Sequence, residues 1–383
     1  MILLLSHFPT QQPIVLLEST LKRKLKITSW RTVLKKLITA ASIIMAAPFL
    51  ACAAPKDSSG DEATTISTFG VVDLALQKVT SGNVSQLKMV SGSTSTSRLG
   101  WTAARPIGSD LTASIWLEAG LTPTVGDTGG SNGSTTVLFN RRSTLSLTSS
   151  LGELRAGRDY SPTYTNALDF DPFSTIGLAG VNNVIDTTLG SAAKTSSRSN
   201  NQVQLMAPKG SGIYGALSVA PSDGTAAQGF MGGRVGYGNN ALNVAVGIQR
   251  TQNPGFSNFV TTNGGISYQF ESLKLGLFSN KNTYGSLTQQ TNELSAVINI
   301  NAKDAIRTAY TSANASGPAA VALKDNATMT AVGYRHNFDS KTEWYATYSK
   351  IQNKNNGVFN LGGLTTAAGA STSGYEAGLV FKF

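Results

Sequence analysis

The sequence predicts an all-β fold, a transmembrane antiparallel β-barrel of 16 strands, and three observations predict it. Only 14% of the 383 residues are charged, well below the quarter usual for a soluble domain. Apolar and polar residues alternate through most of the chain, the period of a strand with two unlike faces. The connections between such stretches alternate between tight and long, and a soluble sandwich has no reason to sort loop length by end.

The elements follow in chain order. Lys22, Arg23, Lys24, Lys26, Arg31, Lys35 and Lys36 precede an apolar run over 37–50 and the small triplet Ala51-Cys52-Ala53. That order marks a secretory leader, and about fourteen apolar residues are few for a bilayer-crossing helix. The expected division is a leader over 1–53, a polar lead over 54–64 and a barrel over 65–383, with lipid attachment at Cys52 as the alternative. The stretch before the basic residues is long for a leader and points to a start codon further in.

Cleavage after Ala53 removes His7 and the only cysteine, leaving His336 as the one imidazole. It also lowers the net charge from +10 to +4, with 24 Lys and Arg against 20 acids. The basic excess therefore belongs to the leader, and nucleic acid is not an expected partner. No disulfide within the chain, metal, cofactor or catalytic residue is expected from one Cys and two His.

Alternating segments begin near Ile66, Ser95, Leu111, Thr136, Glu153, Ser199, Ile213, Gly229, Ala241, Thr261, Leu273, Gln290, Asp304, Thr328, Thr342 and Ser371. Their number is even, as antiparallel closure requires. In one of them Leu242, Val244, Val246 and Ile248 make one side while Asn243, Ala245, Gly247 and Gln249 make the other. Long connections are expected over 81–94, 122–134, 160–198, 221–228, 253–259, 280–288, 313–326 and 353–370, and tight ones between them. Strand-end aromatics on the apolar side, among them Trp101, Phe139, Tyr237, Tyr268, Phe338, Trp344 and Tyr348, suit the two levels where hydrocarbon meets headgroups.

Alternation puts Arg98, Arg142, Arg155, Arg234, Lys274, Arg307 and Arg335 on the polar side, with Asp73, Glu118, Glu153 and Glu293. An Arg or Lys facing lipid would cost about 2 to 4 kcal/mol near the midplane, so these side chains belong inside. Trp116 and Tyr214 are inward aromatics. Gly210-Ser211-Gly212-Ile213-Tyr214-Gly215 has the G-x-G-x-x-G form but runs into an alternating strand, where a nucleotide site needs a helix. His336 shares its face with Val332, Tyr334 and Phe338 and is assigned to an aromatic belt.

Several stretches resemble the general diffusion porins of Gram-negative outer membranes, of the beta-proteobacterial type. They are Phe69-Gly70-Val71-Val72-Asp73, Ser97-Arg98-Leu99-Gly100-Trp101, Phe139-Asn140-Arg141-Arg142, Leu154-Arg155-Ala156-Gly157-Arg158-Asp159-Tyr160-Ser161-Pro162 and the ending Gly378-Leu379-Val380-Phe381-Lys382-Phe383. Thr102 departs from the pattern where a second arginine is usual, and Trp116 where a polar residue is.

The resemblance implies short periplasmic turns, long extracellular loops, a homotrimer in outer-membrane lipid, and a third loop, 160–198, folded into the lumen. It implies a constriction with Arg98, Arg142, Arg155, Arg158 and Arg307 on the wall and Asp169, Asp171 and Asp186 on the loop. Tyr375, Leu379, Phe381 and Phe383 look like the signal read by the barrel-assembly machinery. The function implied is passive diffusion of small hydrophilic solutes and inorganic ions, with a weak anion preference from the wall charges. A substrate-specific channel is the alternative, ahead of a barrel adhesin or barrel enzyme.

Overall fold

The computed structural model describes residues 63–383 apart from 130, 133–134, 186–188, 191–193, 209–211, 223–228, 254 and 318–325. The expected leader and Asp186 lie outside the described residues. The strands are β1 (Thr65–Ser81), β2 (Val84–Ser91), β3 (Arg98–Gly108), β4 (Leu111–Gly120), β5 (Arg142–Ser149), β6 (Gly152–Tyr160), β7 (Arg198–Met206), β8 (Gly212–Ala220) and β9 (Phe230–Gly238). They continue as β10 (Leu242–Thr251), β11 (Phe259–Gln269), β12 (Leu273–Tyr284), β13 (Leu287–Asn299), β14 (Asp304–Ser316), β15 (Ala327–Asn337), β16 (Thr342–Asn353) and β17 (Thr372–Lys382).

All pairings are antiparallel, and β2 and β3 lie end to end along one edge of β1. β2 takes the half from Leu74 to Ser81 and β3 the half from Thr65 to Val71. The described segments thus fill 16 positions. The sheet closes where β1 pairs with β17 from Val71↔Lys382 to Ser81↔Thr372. Gly70 and Phe383 extend that seam by exchanging both backbone hydrogen bonds, at 3.0 and 3.1 Å.

The faces sort as the alternation demands. Leu76, Leu87, Ile115, Leu145, Leu217, Val246, Leu277 and Leu294 are exposed on the outside, while Thr144, Ser146, Gln202, Gln204, Asn263, Asn280 and Thr311 are buried within. This inverts a soluble protein and matches a barrel whose outer band meets hydrocarbon.

Three expectations about connections need correction. The 81–94 stretch is no long loop: Gly82, with φ of +57°, and Asn83 make a tight turn into β2. The 280–288 stretch is likewise ladder up to Tyr284 and again from Leu287, with Gly285 at φ +61° in the turn. The segment expected near Thr136 begins at Arg142. In the second case polar residues on both faces made a strand look like loop.

Residues 92–97, between β2 and β3, turn into the lumen instead of continuing the ladder. The Asp73 carboxylate accepts from the backbone N–H groups of Thr94 and Ser95, both at 2.8 Å, and holds the excursion in place.

Candidate functional site

The 160–198 connection fills much of the barrel. It begins as helix α1 (Pro162–Phe170), whose cap is Ser161: its hydroxyl accepts from the Tyr164 N–H at 3.4 Å, with proline following at the first helical position. Pro162, Thr163, Asn166, Ala167 and Phe170 are buried along one face, at the spacing a helix requires. Phe170 and Ala167 pack with Val181, Ala245 and Phe278. Farther on, Leu178 and Val184 join Val79, Ala313, Ala327, Met329, Ile351 and Leu361. The loop is therefore seated on apolar contacts made inside an otherwise polar lumen.

Between α1 and the wall built by β4 to β10 remains an open cavity of about 540 Å³. Arg141, Arg142, Arg155, Arg198 and Arg234 line it, with Glu118, Asp159 and Asp169 as the acids. Arg155 donates to Asp159 at 2.5 Å and to Glu153 at 2.8 and 2.9 Å. Arg142 reaches Asp159 at 3.4 Å, Arg141 donates to Glu118 at 2.5 Å, and Arg234 pairs with Asp169 at 2.5 Å. Arg98 stands 4.0 Å from Glu118 and donates to the Thr96 carbonyl. Trp116, Tyr160 and Tyr214 also face the cavity.

Arg142, Arg155 and Asp169 thus line one cavity, and Arg98 lies beside its Glu118. Arg158 is not brought in. It sits opposite Ser143 in the register, on the outward face shared by the adjacent pair Leu145↔Ala156, because cross-strand partners lie on one face. There it donates to the Asn140 carbonyl at 2.6 Å and to Asn200.

Two further expected constriction residues are braces. Arg307 is buried, donating to the Pro172 carbonyl at 3.3 Å and the Thr94 hydroxyl at 3.1 Å, with the Phe173 ring centroid 4.9 Å away. Asp171 is also buried, accepting from the backbone N–H groups of Phe173, Thr175 and Val181 at 2.7 to 2.8 Å. Burial pushes its carboxyl up to about 6, against the pull of those three N–H groups and Arg307. Glu376 completes the bracing, its two oxygens accepting from the Leu178 N–H at 3.3 Å and from Gln77 at 2.9 Å.

Sequence reasoning did not choose Arg141, Asp159 or Arg198 as site residues. Arg141 and Arg198 stand at the loop ends of β5 and β7, where a count along the strand loses phase, whereas Asp159 lies four residues from Arg155 on the same inward face and a count does reach it. The seat of the loop did carry a signal. Inward positions beneath it are small: Ala309 and Ala313 on β14, Ala327, Ala331 and Gly333 on β15, and Gly265 on β11, where a Cβ would lie 2.3 Å from the Phe170 ring.

Of the remaining features, His336 lies opposite Trp344 with its ring edge-on to Phe338 at 4.9 Å, and its Nδ1 is 2.7 Å from Asp304. In the G-x-G-x-x-G segment Gly210 and Ser211 lie outside the described residues, and the rest is the strand Gly212–Ala220. Tyr375, Leu379 and Phe381 are exposed on the outer face beside the seam.

The chain matches the Gram-negative porin family over residues 39–356. It is 27% identical over 346 residues to outer membrane porin protein 32 of Delftia acidovorans, covering 84% of this chain and 94% of that one. Its fold resembles the anion-selective porin from Comamonas acidovorans, with a TM-score of 0.73, 24% identity, and coverage of 84% of this chain and 100% of that one. OmpT of Vibrio cholerae is also similar, at a TM-score of 0.61 and 12% identity over 85% of this chain and 100% of that chain.

Proposed function

Because the chain belongs to the Gram-negative porin family, and so forms a passive diffusion channel in the outer membrane, we propose that its arginine-lined cavity is the aperture and gives it an anion preference. The observation carrying this reading is the lining itself, with five arginines and three acids on one cavity. Selectivity in such pores comes from side-chain charge and diameter, and a surplus of guanidinium raises the local anion concentration. The relative named for anion selectivity supports the same sign. We further infer that residues 1–53 direct export, that the barrel works as a homotrimer, and that no residue transforms a solute.

The test is a reversal potential across a salt gradient in a planar bilayer. The unmutated channel should prefer anions weakly, less so as mean salt rises, because screening acts over about 8 Å at physiological ionic strength. Replacing Arg142 and Arg155 by Gln should shift the potential toward cations. A clear cation preference before mutation would mean that Asp169 and its neighbours set the field.

A further inference from the structure

A charge filter needs cations; this cavity also sets three of its guanidinium groups over aromatic rings. Arg142 lies 4.4 Å over the Trp116 ring centroid, Arg198 4.1 Å over Tyr160 and Arg234 4.9 Å over Tyr214. The rings are themselves backed. Trp116 has Phe69 at 5.1 Å, Tyr160 has Tyr164 at 5.1 Å, and the Tyr214 Cζ occupies space 2.4 Å from where a Cβ on Gly236 would sit. Each of these guanidinium groups is therefore held over a fixed ring while its residue lines the cavity.

The donors are unevenly engaged. Arg155 and Arg234 are bound to carboxylates through their terminal nitrogens, whereas Arg142 uses Nε alone, for Thr144 at 3.0 Å and for Asp159 at 3.4 Å. Among the described residues no carboxylate lies within 4.0 Å of Arg198. Met206, Ala207 and Ala216 give the same cavity an apolar stretch.

We propose that the lumen binds planar organic carboxylates, with the carboxylate on the edge of Arg198 or Arg142 and the ring against a guanidinium face and the Met206 wall. A guanidinium plane matches a carboxylate along its edge and stacks π systems on its weakly hydrated face. This rests on the anion-preferring reading above and narrows it from small anions in general to one class.

Chloride current through the mature chain in a planar bilayer is titrated with benzoate and with cyclohexanecarboxylate, which has the same charge and similar size but no plane. Benzoate should half-block at a concentration about three- to tenfold lower, the worth of a partly desolvated cation–π contact. Replacing Arg198 and Arg142 together by Lys keeps the charge and removes both planes, and Tyr160→Leu with Trp116→Leu removes their backing rings; each double variant should bring the ratio toward one. Tyr237→Leu, on the outer face, should leave the ratio intact. Equal block by both acids, with chloride still preferred in the salt gradient, overturns the site alone; a cation preference overturns the reading beneath it. A ratio unmoved by both double variants puts binding elsewhere and overturns the assignment.

Discussion

Arg155 on β6 and Arg307 on β14 both point inward from alternating strands, yet Arg155 lines an open cavity while Arg307 lies beneath the inward loop. Around Arg155 the neighbours are the Glu153 and Asp159 carboxylates, which engage Nε and both terminal nitrogens while the group still lines the cavity. Around Arg307 they are the Pro172 carbonyl, the Thr94 hydroxyl and the Phe173 ring, all belonging to segments folded in from outside the ladder. Residue type and strand phase are the same on the two sides. What differs is whether the loop occupies the space opposite, so a charge count along the whole wall overstates what a passing ion meets.

The largest effect that tests this contrast lies on the filled side, where the barrel also closes. Deleting Phe383 removes both backbone hydrogen bonds to Gly70 and the ring beside it, together with the aromatic expected to be read during assembly. Surface levels should fall by about tenfold or more, while any barrels that form keep the conductance and ion preference of the open side. Normal surface levels of the truncated protein would break the prediction.

A smaller effect is expected from Arg307→Leu. Two part-buried acceptors lose their donor, at about 1 kcal/mol each, so amides of the 171–181 segment should exchange roughly tenfold faster or more. The reversal potential should move much less than with Arg142 and Arg155 replaced by Gln. A comparable shift would erase the distinction between the two sides.

The smallest effect is a pH dependence of the loop seat. The Asp171 carboxyl is raised by burial from 3.8 to about 6 in the fold. Its contribution to stability is therefore complete below about pH 4 and lost as the pH rises through about 6. Exchange of the loop amides, corrected for intrinsic rates, should be slowest near pH 4 and quicken toward pH 7, and Asp171→Asn should flatten that profile. A seat that tightens with rising pH would mean that the three N–H groups outweigh burial.

Much of this architecture was legible because a barrel wall has an exact two-residue period, and Leu242 to Ile248 announces it in four residues. The ends of strands were harder to read. Asn280, Lys281 and Asn282 are polar on both faces because β12 there rises past the apolar band, so hydropathy gives no cue that the ladder continues. The inward fold of the 160–198 loop came from family resemblance, although Ser161-Pro162 marked a helix start and the small residues on β14 and β15 marked the surface that receives it. Arg158 was misplaced for a different reason: the family resemblance put it on the inner wall, whereas a plain count from Arg155 already puts it outward with Ala156.

Glu376 also bears on the order of assembly. Its carboxylate holds Gln77 of the first strand, 299 positions away, and the Leu178 N–H of the loop, 198 positions away. Contacts of such separation form late, since the chain between them must already be arranged before they return any free energy. This clasp cannot fasten until β17 has met β1. The aperture is thereby finished only in a barrel that has already sealed, and an unclosed sheet carries its loop without that clasp.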